Sequence, residues 1–145
     1  MEISHLKSLY PKQLYSSCSL GEYDNLYEHR IDLKHLNVYT IDPPKCVDAD
    51  DGFSVEVIND TTKSYNIYVH IADPTTYMKK SGSVFNNAIH NCVTQYPSFT
   101  KPNHLLPENI LNECSLMYGT KPALTIKYEF ENNKCINKTL FFSYV

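Results

Sequence analysis

Hydrophobic and polar positions alternate most cleanly over Phe53 to Ile58 (FSVEVI), a period of two that predicts a half-buried β-strand. Asn59-Asp60-Thr61-Thr62 supplies turn chemistry directly after it, and Asn66 to Ala72 (NIYVHIA) predicts a second strand, so the pair reads as an antiparallel hairpin with a longer loop. Asn37 to Ile41 (NVYTI) carries the enrichment in Val, Tyr, Thr and Ile of a further strand, ended by Pro43-Pro44, neither of which can donate to a ladder. Val84, Ala88 and Cys92, together with Phe85, Ile89 and Val93, recur at i, i+4. They predict a helix over Val84 to Val93 with Ser83 as its N-cap. Pro97, Pro102 and Pro107 keep residues 96 to 107 extended and irregular. A short helical turn is expected at Glu108 to Leu111, then strands at Ala123 to Phe130 and Cys135 to Tyr144, joined by a tight Asn132-Asn133 turn. Residues 1 to 37 are polar and Tyr-rich without a clean period, and the first 29 read as a loosely structured leading segment with at most a short helix at Ile3 to Leu9. These elements predict an α+β fold: a mixed, mainly antiparallel sheet with a few helices, forming a single domain over residues 1 to 145.

Composition adds exclusions. With 145 residues, 42% hydrophobic and 20% charged, and only 4 Gly and 8 Pro, the chain can bury one real core and is neither disordered nor collagen-like. No apolar run is long enough to span a bilayer, and the first residues lack a basic stretch followed by an apolar one, so a non-secreted protein without membrane partners is expected. Thirteen Lys plus Arg against sixteen Asp plus Glu give a net charge of −3, which excludes a global field drawing the protein to polyanions; any such site must be local. The five cysteines (Cys18, Cys46, Cys92, Cys114 and Cys135) are widely spaced, with no C-x-x-C pair and no histidine at zinc-ligand spacing. They predict buried, reduced thiols in the cytoplasm or another reducing compartment.

The densest chemistry lies in Thr40-Ile-Asp42-Pro-Pro-Lys-Cys-Val-Asp48-Ala-Asp50-Asp51-Gly52, where four carboxylates fall within ten residues between two predicted strands. At an effective dielectric of about 20, two carboxylates some 4 Å apart repel by roughly 4 kcal/mol, so the group must splay into water, take up protons or bind cations. A solvated acidic loop is one reading. Carboxylates without nearby His or zinc-type Cys ligands also suit a hard cation, Mg2+ or Mn2+, which typically bridges to phosphate oxygens. An EF-hand loop would need its glycine one place beyond Gly52 and flanking helices. Asp48-Ala49-Asp50 also matches the DxD triplet of sugar-nucleotide transferases, but hairpin strands rather than a parallel sheet argue against that reading.

The order Arg30-x-Asp32-Leu33-x-x-Leu36-x-x-x-Thr40-Ile41-Asp42, then Asp48-x-Asp50-Asp51, resembles the catalytic motif of the RNB domain, the domain of the RNase II and RNase R exoribonucleases. Downstream, Val69-His70-Ile71-Ala72-Asp73, Thr94-Gln95-Tyr96-Pro97, Leu105-Leu106-Pro107 and Glu113-Cys114-Ser115-Leu116 are similar to family segments in the same order, from about residue 30 to 130. The resemblance implies a metal-dependent 3′-to-5′ exoribonuclease that hydrolyses single-stranded RNA to nucleoside 5′-monophosphates. In that reading Asp42, Asp48, Asp50 and Asp51 hold Mg2+ (or Mn2+) and the attacking water, and Tyr96 stacks on a terminal base. His70 reads as a hydrogen-bonded interior histidine, Asp73 as a turn former at a strand end, and Tyr77 as packing.

The family domain is longer and carries an arginine-containing segment that residues 130 to 145 do not resemble, and Gly52 stands where many members have alanine. The chain therefore reads as the N-terminal part of an RNB domain, with Arg30 its sole arginine. A second protein chain is one candidate source of the missing half of the site, which the sequence itself does not reveal. Strand edges and apolar surface along Lys134 to Val145 are expected to stay uncovered. The rival reading is an RNB remnant without catalysis, acting as an RNA-binding or protein-interaction module.

Overall fold

The computed structural model describes residues 30–145 apart from residues 45 and 47; the leading segment and its expected helix at Ile3 to Leu9 lie outside the described residues. Five strands form one sheet: β1 (Ile31–Asp32), β2 (Asp51–Asn59), β3 (Ser64–Ala72), β4 (Pro122–Glu131) and β5 (Lys134–Tyr144). Two helices, α1 (Ser83–Asn91) and α2 (Glu108–Cys114), lie between β3 and β4. The strand order is β1-β5-β4-β3-β2, with β2 to β5 running as an antiparallel meander and β1 pairing parallel to β5. This is the mixed, mainly antiparallel α+β architecture that the pattern predicts. The β4–β5 turn is the tight one expected, with Asn132 and Asn133 both at positive φ (48° and 61°), the conformation that asparagine tolerates best after glycine.

Several elements differ from expectation. Residues 37 to 41 do not form a strand: only Tyr39 pairs, exchanging two backbone hydrogen bonds with Phe53 at 2.9 and 2.8 Å. The reason lies in connectivity, because β1 sits at one edge of the sheet and Tyr39 at the other, so residues 33 to 38 must cross it. A flat sheet would make that crossing span about 24 Å, and seven extended residue steps reach about the same. Residues 33 to 36 instead form a turn (Leu36 N to Leu33 O, 2.9 Å), so the sheet has to curl to close the distance. Gly82 rather than Ser83 is the N-cap of α1, since Ser83 is already helical, and the helix stops at Asn91 because Cys92 turns to φ 64°. Helix α2 runs three residues beyond the expected Leu111, held by burial of Ile110 and Cys114 one turn apart. The described cysteines are free, but only Cys114 is buried; Cys46 is half-buried and Cys92 and Cys135 are exposed. Burial pushes the Cys114 thiol up to about 12, with the Asp73 charge acting in the same direction, so it is inert.

The two faces of the sheet invert the usual arrangement. Ser54, His70, Thr125 and Ser143 are fully buried and form a hydrogen-bonded row across four strands: Ser54 Oγ to His70 Nε2 at 3.0 Å, His70 Nδ1 to Thr125 Oγ1 at 2.9 Å, and Thr125 Oγ1 to Ser143 Oγ at 2.6 Å. The crossing segment lies on this face, since a Cβ on Gly52, the residue opposite His70, would meet Val38 Cγ1 at 2.9 Å. Burial of this row is affordable because each polar atom finds a partner. On the opposite face Phe53, Val55 and Val57 align through the register with Val69, Ile67 and Tyr65 and with Ile126, Tyr128 and Phe130. Val57 is 66% and Leu140 61% exposed there, and most of β5 is open to solvent, as expected for Lys134 to Val145. The apolar core sits instead at one end of the sheet, where Ala49, Ala72, Val84, Leu106, Ile110, Cys114 and Leu116 pack together. Among the described residues, no helix is long and apolar enough to cross a membrane.

Candidate active site

The acidic segment enters the sheet at that core. Ala49 is fully buried between half-buried Asp48 and exposed Asp50. Its backbone is held on both sides: Ala49 N donates to Ser115 Oγ at 3.0 Å, and Leu116 N donates to Ala49 O at 2.9 Å. One residue later Ala72 N donates to Asp50 O at 2.8 Å, and Asp51 begins β2 opposite Ile71. Three of the four aspartates are thus anchored through consecutive backbone groups at the edge of a packed core. Asp42 stands on the less regular stretch after Tyr39, linked back by Cys46, whose Sγ donates toward Asp42 Oδ1 at 3.6 Å and Asp48 O at 3.0 Å.

The acidic neighbours act on Asp50. Asp50 keeps an exposed surface, yet partial desolvation at the core edge raises its carboxyl above the usual range. The charges of Asp48, Asp51 and Asp42, in that order, push it the same way. Among the described residues no three His, Cys, Asp or Glu side chains already converge into a cluster that could hold a metal ion. The four carboxylates do not converge, one of the resolutions of like-charge repulsion that the sequence allows.

Tyr96 is 75% exposed, between the Gln95–Asn103 bridge and Pro97, so it is not packed as an ordinary surface aromatic would be. Beside the acidic segment, a groove of about 480 Å³ is lined by Leu36, Asn37, Val38, Tyr39, Leu116, Gly119 and Val145. None of the four aspartates lines it.

The residues set aside as structural are so. His70 is fully buried, and desolvation holds its imidazole down at about 4. Asp73 caps the short 3-10 turn Pro74–Tyr77, accepting from Thr75 N at 3.1 Å, and Tyr77 packs on the core with its hydroxyl donating to Glu113 O at 3.3 Å. Arg30 is not at the acidic site. Its fully buried guanidinium pairs with Asp73, donates to Thr76 Oγ1 at 2.6 Å and to the carbonyls of Ala123 and Ser143 at 3.2 Å, and lies over the rings of Phe142 and Tyr144. Sequence reasoning gave no role to Ser115 or Ala49. The family-like stretch at 113–116 and the single small residue between two aspartates were the signals available.

The RNB domain matches residues 30–144, which hold all five strands and both helices. The chain belongs to the RNB-domain family. It is 36% identical over 118 residues to "Exoribonuclease 2" of Buchnera aphidicola subsp. Baizongia pistaciae, a match covering 78% of this chain and 18% of that protein. Among solved structures it is similar to Mycoplasma genitalium RNase R in complex with ribose methylated single-stranded RNA, with a TM-score of 0.72 and 25% identity over 86% of this chain and 20% of that one. Yeast Ssd1, a pseudonuclease, shares the fold at a TM-score of 0.71 and 18% identity over 86% of this chain and 16% of its own. The chain therefore spans about a fifth of the length of these proteins, and the fold by itself does not specify catalysis.

Proposed function

We propose that this chain carries the acidic, metal-binding half of an RNB-type 3′-to-5′ exoribonuclease site acting on single-stranded RNA. The observation that carries this reading is the backbone anchoring of Asp48, Asp50 and Asp51 at a core edge, with the Asp50 carboxyl raised by partial burial and by its three acidic neighbours. Carboxylate oxygens suit a hard cation, and Asp42, Asp48, Asp50 and Asp51 would hold Mg2+ or Mn2+. When bound, such a cation lowers the pKa of water and stabilises charge on the phosphoryl oxygens.

The chain's own residues supply the rest of what this reading needs. The four carboxylates supply only oxygen donors, the chemistry a hard cation prefers. Ala49, seated in the core, holds its acidic neighbours at a fixed place on the sheet edge. Tyr96 offers an unpacked ring on which a terminal base can stack irrespective of sequence. Arg30 is committed to Asp73, so it does not neutralise the RNA backbone. Arginine of that kind contributes orders of magnitude to phosphoryl transfer. The chain alone is accordingly a slow nuclease under this reading, and release of nucleoside 5′-monophosphates reaches its full rate only where cationic groups are added to the acidic half.

The test is incubation of the chain with 5′-labelled single-stranded RNA and Mg2+, with Mg2+ replaced by chelator and with Asp50→Asn as controls. Slow shortening from the 3′ end, lost in both controls, is expected. Cleavage that persists in chelator or in Asp50→Asn overturns the reading.

A further inference from the structure

We infer that Ser115 is a positioning residue for the acidic site, acting through the backbone of Ala49. The inference deepens the metal-site reading above and rests on it. Ser115 is buried at the end of α2, 66 residues along the chain from Ala49, and its hydroxyl oxygen accepts from Ala49 N at 3.0 Å and from Met117 N at 3.5 Å. The adjacent Leu116 N donates to Ala49 O at 2.9 Å, so two neighbouring residues of one segment grip both backbone groups of the residue that separates Asp48 from Asp50.

The side chain completes the grip. Ala49 is fully buried against Ala72, Ile110, Cys114 and Leu116, and a close-packed site of this kind admits little extra volume. A methyl group therefore serves as a plug that faces the core while the flanking carboxylates remain at the surface. Two other features show that the segment needs such a clamp. It is not part of a strand ladder at residues 48 to 50, and four carboxylates of like charge fall within ten residues there. An amide without its hydroxyl acceptor would leave the segment tied through Ala49 O, Asp50 O and the Cys46 thiol on Asp48 O, with nothing holding Ala49 N against their repulsion. Ser115 touches no reacting group, so its effect has to be read through the geometry of the aspartates.

The experiment compares the unaltered chain with Ser115→Ala and Ser115→Thr. It measures amide hydrogen exchange at Ala49 and Asp50 by NMR, and Mn2+ affinity from the paramagnetic resonance of free Mn2+. For Ser115→Ala, Ala49 exchange should accelerate about 10-fold and Mn2+ affinity fall about 10- to 100-fold, the scale seen when groups supporting metal ligands are removed. Circular dichroism should be unchanged, and Ser115→Thr, which keeps the hydroxyl, should restore both properties. If Ser115→Ala does not fold, Ser115→Cys, of similar size and with only a weak sulfur acceptor, should show the same losses. Unchanged Mn2+ affinity in the Ala or Cys variant, or a Thr variant as weak as Ala, overturns the positioning role. Failure of the unaltered chain to bind Mn2+ at all overturns the metal-site reading, and the role of Ser115 falls with it.

Discussion

Arg30 Nη2 lies 2.5 Å from Asp73 Oδ2, with both side chains almost wholly buried, and this pair ties the start of the described chain to the turn that follows β3. Its position explains why the one arginine in the sequence does not serve the acidic site 12 residues later. Two carbonyls, one hydroxyl and two aromatic rings surround the guanidinium, so the desolvated charge is compensated by Asp73 together with these groups. Removing one partner of such a pair leaves an uncompensated buried charge, which typically costs about 3–5 kcal/mol. Arg30→Met should lower stability by about that much in urea unfolding, and adding Asp73→Asn should cost far less than a second independent loss.

A pH effect follows from His70. Its folded-state value of about 4 lies below the ordinary 6.5, so the unfolded chain takes up a proton in a range where the native chain does not. Stability from this group is fully present above about pH 6.5 and falls by about 3 kcal/mol as pH drops to about 4. Urea unfolding between those limits should show the slope, and His70→Gln should flatten it while lowering stability throughout.

Gly52 needs space rather than backbone freedom. A Cβ there would sit 2.9 Å from Val38 Cγ1 and 3.1 Å from Tyr39 O, the backbone that pairs with Phe53. Gly52→Ala should therefore destabilise the chain by roughly 1–3 kcal/mol, as overpacking does. Amide exchange at Tyr39 should accelerate in the same variant. That glycine also accounts for how closely the crossing segment approaches the sheet in this family member.

The exposed ring of Tyr96 lets binding and stability be tested separately. Because the ring is exposed, Tyr96→Ala should change stability by less than about 0.5 kcal/mol. A single-stranded RNA titration should lose about 1–3 kcal/mol if one base stacks there. Unfolding of that variant would mean that the ring is a packing element.

Much of the frame was legible in the sequence because it rests on short-range chemistry. Alternation over residues 53 to 58 and 66 to 72 set the hairpin, Asn132-Asn133 set the turn, and i, i+4 spacing set α1 to within two residues. The concentration of Asp42, Asp48, Asp50 and Asp51 within ten residues was equally legible as a candidate site. Burial direction was not legible, since alternation says that a strand has two unlike faces and not which one the chain will cover. Here residues 33 to 38 cross the polar face, so Ser54, His70, Thr125 and Ser143 are inside while Val55, Val57 and Leu140 look outward. The two-residue strand β1, the burial of Arg30 and the grip of Ser115 on Ala49 likewise join residues 43 to 113 positions apart. Local propensity carries no information about such pairings, because their free energy is gained only when the whole chain has closed around them.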